Sequence, residues 1–215
     1  MTRRPPARLC GWVALAAAAA FTLLTIAMLG ATPRLLPGDA ALHHWSLTHR
    51  PGAAVTLARA VTATGTGLIP FAAVLLAGLS VGGTVRRRVT IAAVLALCLG
   101  SGQALRYAVM TLVARRRPPF ADWATHATGW SFPSGHATTG AMTAGLLTAA
   151  LYLRCLRIPP VAAVLIGMWG AAVGLSRVYL GVHWFSDVIG GWLFAAAWLA
   201  LTACVYLLAG RGTVR

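Results

Sequence analysis

Ser176-Arg177-Val178-Tyr179-Leu180-Gly181-Val182-His183-Trp184-Phe185-Ser186-Asp187 joins two apolar runs, about 161–176 and 183–208, through a corner that carries an Arg, a His and an Asp. A helix needs roughly 17–25 apolar residues to cross ~30 Å of hydrocarbon, and these runs reach or approach that length. Ionisable groups set between them sit beside a membrane, where they are costly to keep and are as a rule functional. The whole chain has the same character. Of its 215 residues 59% are hydrophobic and 10% charged, which excludes an ordinary soluble domain and leaves room for several spans.

Four further apolar runs, about 11–29, 67–81, 89–113 and 135–153, bring the count to six predicted helices. The runs 67–81 and 161–176 are close to the lower limit for spanning. The expected fold is all-α: an integral membrane six-helix bundle in a single domain over 1–215. Arg3 to Arg8 ahead of the first run imitates a secretory signal, but the length of that run and the lack of a small-x-small cleavage site favour an uncleaved first span. Residues 31–66 mix turn formers with a mostly apolar stretch over 53–63, which predicts a short interfacial helix. His43, His44 and His49 in that segment read as an exposed loop rather than as a metal site.

All 18 basic residues are Arg, against only Asp39, Asp122 and Asp187, for a net charge of +15. The arginines cluster at the ends of apolar runs rather than along one soluble face, and no nucleic-acid motif accompanies them, so nucleic acid is not the expected partner. With a cytoplasmic N-terminus, Arg3, Arg4, Arg8, Arg86 to Arg88, Arg154, Arg157, Arg211 and Arg215 all fall inside, and both termini are cytoplasmic. Arg115, Arg116, Arg117 and Arg177 then fall outside, against the usual bias, and an anion bound there is the expected reason. Cys10, Cys98, Cys155 and Cys204 lie in or beside apolar segments without paired spacing and read as small buried hydrophobes.

His183 and Asp187, four apart at the start of the sixth predicted helix, share one face. The carboxylate can accept one imidazole N–H and hold the other ring nitrogen toward a substrate as a nucleophile; the bland alternative is a satisfied pair at a helix start. Arg177 closes the fifth helix six residues earlier, where a planar cation beside a nucleophilic His suits a phosphate. Pro133-Ser134-Gly135-His136 opens the fourth helix: Ser134 is a candidate N-cap, Gly135 lets first-turn N–H groups approach an anion, and His136 lies where it can protonate a leaving oxygen. Ala137, Gly140, Ala141, Ala144 and Gly145 allow close packing that would hold the fourth and sixth helix starts together. In Arg115-Arg116-Arg117-Pro118-Pro119 the proline ends the third helix and frees Arg117 to turn back over the site, with Arg115 and Arg116 as weaker ligands or outer charges.

These residues together resemble the type 2 phosphatidic acid phosphatase superfamily, which includes membrane lipid phosphatases and the related vanadium haloperoxidases. Its motifs are Lys-x6-Arg-Pro, Pro-Ser-Gly-His and Ser-Arg-x5-His-x3-Asp. The second matches Pro133 to His136, and the third matches Ser176, Arg177, His183 and Asp187 with both internal spacings intact. The resemblance covers about 89–208 and is to the integral-membrane branch. Met110 stands where the first motif has Lys. Arg106, one turn earlier, could reach back; Arg115 or Arg116 could supply the charge from above; or phosphate is bound more weakly.

The resemblance implies hydrolysis of a lipid phosphate or diphosphate of the phosphatidate, phosphatidylglycerol phosphate or polyprenyl diphosphate type at the extracytoplasmic helix ends of a multi-pass plasma-membrane protein. His183 would form a phosphohistidine, Asp187 fix its tautomer, and His136 act as acid and then base. Arg117, Ser134, Gly135 and Arg177 would bind the phosphate, with Arg106, Arg115 and Arg116 as possible auxiliaries. No metal or cofactor is implied, and the partners are the lipid substrate and the bilayer. The rival readings are a lipid phosphotransferase using the same site and a catalytically weak lipid-binding or transport protein.

Overall fold

A computed structural model of the chain describes residues 7–29, 35–155 and 159–212. Arg3, Arg4, Arg157, Arg215 and both chain termini, used above to orient the chain, lie outside them. The described residues form eight α-helices and no strand: α1 (Ala7–Met28), α2 (Asp39–Thr48), α3 (Gly52–Thr64), α4 (Leu68–Ser80), α5 (Val85–Val113), α6 (Gly135–Cys155), α7 (Pro160–Tyr179) and α8 (Phe185–Gly212). α1, α5, α7 and α8 are each long and apolar enough to cross a bilayer, and the chain is a multi-pass membrane protein. Their outward faces carry exposed Trp12, Leu23, Leu112 and Val161, as a lipid-facing surface requires.

Two of the six predicted spans do not qualify alone. α4 is 13 residues long, about 20 Å, and reaches spanning length only with α3, from which it is bent by 53° at the Gly65–Gly67 joint. Gly67 there has φ +66°, a left-handed value that favours glycine. α6 is long enough, yet it is not among the helices that pass on hydropathy, because it is the inner helix and carries Thr138, Thr139 and Thr143 along buried positions. The stretch 53–63 is helical, in α3, but α3 joins α4 as one bent apolar pair of spanning length rather than standing as a separate short helix. α2 differs from expectation: His43 and His44 lie in a helix that His49 caps at its C-terminal end, and His43 is buried while the other two are exposed.

Cys155 is exposed and Cys10, Cys98 and Cys204 are only half-buried, so the buried reading does not hold.

Small residues set how α6, α7 and α8 pack. A Cβ on Gly140 would meet the Gly170 carbonyl at 3.2 Å, and one on Gly170 would meet the Gly140 carbonyl at 3.1 Å, so α6 and α7 cross backbone to backbone. Gly191 brings α8 equally close to Ser134 O and Thr138 Oγ1, each 3.0 Å from its Cβ position. These contacts draw together the start of α6, the end of α7 and the start of α8, as the small-residue pattern leads one to expect. α1 lies against α8, where Phe21 packs on Phe194 and on fully buried Phe132 just before α6. A deeper cluster of Val74, Leu95, Leu99, Met142 and Leu146 fills the space between α4, α5 and α6.

Candidate active site

The end of α5, the start of α6, the end of α7 and the start of α8 lie at one end of the bundle, and with the turns beside them they carry Arg117, Ser134, His136, Arg177, His183 and Asp187. α6 begins at Gly135, capped by Ser134, whose Oγ accepts from Ala137 N at 3.4 Å; such a cap is worth about 1 kcal/mol. The N–H groups of Gly135 and His136 open the helix, where the first N–H groups have no partner within the helix.

α8 starts two residues later than expected, at Phe185, so His183 lies in the preceding turn and not on the helix. The pairing survives for a different reason. Asp187 sits in the first turn of α8 and its Oδ2 reaches back to accept from Trp184 N at 2.8 Å, as the acidic member of a capping box does. That hold sets the carboxylate 3.3 Å from His183 Nδ1. Gly181, with φ +73°, makes the turn possible; a side chain there would collide with Asp122 O and the Arg50 guanidinium.

Arg117 fixes the tautomer of His183. Its Nη1 lies 2.8 Å from His183 Nε2, and a guanidinium only donates, so Nε2 carries the lone pair and Nδ1 the proton given to Asp187. The other four guanidinium N–H groups donate to the carbonyls of Thr128, Gly129, Trp130 and Val182 at 2.8–3.1 Å. Arg117 is therefore clamped over His183 Nε2. Burial pulls its pKa down to about 10, with Asp187 opposing and Arg106 adding to the shift, so it stays charged at neutral pH.

Arg177, in the last turn of α7, is 3% exposed, yet its one bond among the described residues runs from Nη1 to Thr62 Oγ1 at 3.2 Å. Its Nε is buried without a partner. A desolvated guanidinium with unused donors costs free energy until an anion fills it. Arg106, from the middle of α5, extends up to α6: a Cβ on Gly135 would touch its guanidinium carbon at 3.4 Å. Its Nη1 is 3.2 Å from the Met110 sulfur, and the Met110 side chain is buried against Gly129. His136, half-buried, is in the field of Arg177, Arg117 and Arg106 together with His183, which brings these groups around one space at the start of α6.

The three adjacent arginines go separate ways. Arg116 is exposed. Arg115 turns inward, because Ala114 takes the left-handed φ of +48° that ends α5, at a cost of about 1 kcal/mol for a residue with a side chain. Its Nη1 donates to Asp187 Oδ1 at 2.5 Å and to Ser186 Oγ at 2.7 Å, and its Nη2 to Asp39 Oδ2 at 2.9 Å. It thus lies behind the His183–Asp187 pair, away from the side that Arg117 covers. Sequence reasoning missed Asp39, Ser186 and Ser131, whose Oγ donates to Asp187 Oδ2. For Asp39 there was a signal: it is one of three acids in the chain, and a carboxylate so scarce in a membrane protein calls for a cation.

Burial lowers the His183 pKa to about 4, with Arg117 adding to the effect and Asp187 opposing it. The unfolded chain protonates His183 near the usual 6.5 while the folded one does not, so this group costs stability as pH falls from about 6.5 toward 4 and nothing above that range. In 15N-histidine-labelled protein in detergent, the His183 ring shifts should keep neutral-imidazole values down to about pH 5 and titrate near 4. A midpoint at 6.5 would contradict this.

A sequence profile of the PAP2 superfamily matches residues 89–211, more than half of the chain. Phosphatidylglycerophosphatase B of Bacillus subtilis is 33% identical over 101 residues, which is 44% of this chain and 48% of that protein. Undecaprenyl-diphosphatase of Sulfolobus acidocaldarius is 46% identical over 76 residues, 34% of this chain and 32% of that one. The chain thus matches about half the length, or less, of these curated relatives. The crystal structure of a transmembrane PAP2-type phosphatidylglycerolphosphate phosphatase from Bacillus subtilis superposes with a TM-score of 0.77 at 21% identity, covering 95% of this chain and 98% of that one, which shows a shared fold.

Proposed function

The chain belongs to the PAP2 superfamily, and from that premise we propose that it is a phosphatase hydrolysing a lipid phosphate or diphosphate through a phosphohistidine on His183. The observation that carries this reading is the lone pair of His183 Nε2, aimed by Asp187 from behind and met by Arg117 in front. Nε2 attacks phosphorus as the bond to the lipid oxygen breaks, and His136, which takes up a proton when the bound phosphate offsets the surrounding arginines, gives that oxygen its proton. Neutral His136 accepts a proton from water in the second step, and the resulting hydroxide oxygen displaces Nε2 to release phosphate. Arg177, Arg106, Ser134 and the first N–H groups of α6 hold the equatorial oxygens, and Arg117 follows the charge as it shifts.

The lipid follows from the setting. A headgroup can enter a basic site at the helix ends while its tails stay in the bilayer, and the names of the relatives, a phosphatidylglycerophosphatase and an undecaprenyl-diphosphatase, agree with such a substrate. Six spans, with the bent α3–α4 pair and α6 each counted once, give a cytoplasmic N-terminus and C-terminus and an extracytoplasmic site in the plasma membrane. Arg86 to Arg88, Arg154 and Arg211, at the opposite end of the bundle, support that orientation.

Arg106 takes over the work of the Lys that the family has at the position of Met110. It approaches Gly135 from one turn deeper, and the Met110 thioether lies beside its guanidinium where a lysine stem would run. Arg106→Ala should lower kcat/KM about 10- to 100-fold, the range for losing a charge-assisted hydrogen bond, and Met110→Lys in that background should recover part of the loss. Wild-type kcat/KM in Arg106→Ala would remove it from the site. The proposal as a whole is tested by phosphate release from phosphatidate, phosphatidylglycerol phosphate and polyprenyl diphosphate in detergent. No release from any of them above a His183→Ala blank would reject it.

A further inference from the structure

Behind the His183–Asp187 pair, the fully buried carboxylates of Asp39 and Asp187 share the Arg115 guanidinium, which is 4% exposed. The geometry is closed on the Asp39 side. Its Oδ1 accepts from Ser186 N at 2.8 Å, and its Oδ2 accepts from Ser186 Oγ at 2.7 Å and from Leu36 N at 3.0 Å. The Arg115 carbonyl accepts from Ser131 N at 2.8 Å, so the same arginine holds the serine whose hydroxyl donates to Asp187. Three charges taken out of water are a costly way to tie α2 to α8, and apolar side chains would serve as well for that alone.

The charges make sense when counted toward His183. As Nε2 bonds to phosphorus, the imidazole gains positive charge that Asp187 must balance. Asp187 has a guanidinium on its far oxygen, which cancels much of its field. Asp39, on the other side of that guanidinium, leaves the trio with a net charge of −1. Without Asp39 the trio would be neutral.

We propose that Asp39 is a positioning residue for the reaction: Arg115 links it to Asp187 and weakens the field of that carboxylate, and the charge of Asp39 restores the negative potential that the His183 imidazole needs. This deepens the preceding reading and rests on His183 as the nucleophile.

Charge counting gives a test that a mere clamp would fail. The trio carries −1 in the wild type, 0 in Asp39→Asn, −2 in Arg115→Gln and −1 again in the double variant. Asp39→Asn should lose about 10- to 100-fold in kcat, the range for partners that orient a catalytic histidine from behind, with KM changed less than twofold. Asp39→Asn/Arg115→Gln should be roughly tenfold or more faster than Asp39→Asn, each rate taken per folded protein from size exclusion and thermal unfolding. The 15N shifts of His183 should move in Asp39→Asn and return toward wild type in the double variant. Wild-type kcat in Asp39→Asn, a loss carried by KM alone, or a double variant no faster than Asp39→Asn would each overturn the proposal. If Asp39→Asn does not fold, a double variant that folds with less than a tenth of wild-type kcat overturns it and one close to wild type upholds it. A wild-type enzyme that releases no phosphate, or a His183→Ala blank that does, would instead sink the phosphohistidine reading.

Discussion

His183→Ala should abolish turnover, with a loss on the order of 10⁴-fold or more in kcat, because no other group can form the intermediate. Of the two histidines at the site, His183 is the one whose ring is buried against a carboxylate and neutral at neutral pH. His136 is close by, but it has no carboxylate behind it, so it cannot take over the attack. The substitution leaves Arg106, Arg177 and the start of α6 untouched. Lipid binding should therefore persist within a few-fold while chemistry stops. Rapid-quench trapping of radiolabelled phosphate should show acid-labile, base-stable label on the wild-type protein and none on the variant. Label that survives in His183→Ala would place the intermediate elsewhere.

Asp187→Asn is the second large effect, about 10³- to 10⁴-fold in kcat, by the logic that applies wherever a carboxylate sets the tautomer of a catalytic histidine. An amide in that place cannot satisfy both neighbours. If its oxygen faces His183 Nδ1, its NH₂ faces the Arg115 guanidinium, now 2.5 Å from Asp187 Oδ1, and donor meets donor. If it flips, its NH₂ faces Nδ1, the proton moves to Nε2, and the nucleophilic lone pair is gone. The variant also takes one anion from a buried trio, a change that costs about 3–5 kcal/mol when a partner is left uncompensated, so the thermal midpoint should fall as well. Single-turnover formation of the phosphoenzyme separates the two effects. A normal rate in the folded fraction would reduce Asp187 to a structural role.

The motif residues were legible because their spacing brings them to one end of the helices, and close glycine contacts bring α6, α7 and α8 together there. What the sequence leaves unreadable is direction. Arg115, Arg116 and Arg117 are equivalent in a linear chain; they separate only because Ala114 adopts a left-handed conformation, for which an alanine gives no signal. The His183–Asp187 spacing of four suggests a shared helix face, whereas the contact comes from a capping carboxylate and a turn. α6 escapes a hydropathy count for the reason that makes it central, since threonines that face neighbouring helices weaken the lipid-facing signal. Asp39 could not be assigned, as Arg115 and Ser186, which it pairs with across the fold, lie more than seventy residues away.

All three acids of the chain are committed near one another: Asp39 and Asp187 to Arg115, and Asp122 to His43 at 2.9 Å. With a net charge of +15 there is no carboxylate in reserve to act as an internal decoy for Arg106, Arg117 and Arg177. In the absence of substrate, the counter-charge for that space has to be borrowed, from dissolved ions or from the anionic headgroups of the surrounding leaflet. The lipid composition of the membrane is in this sense a competitor that the protein cannot leave behind.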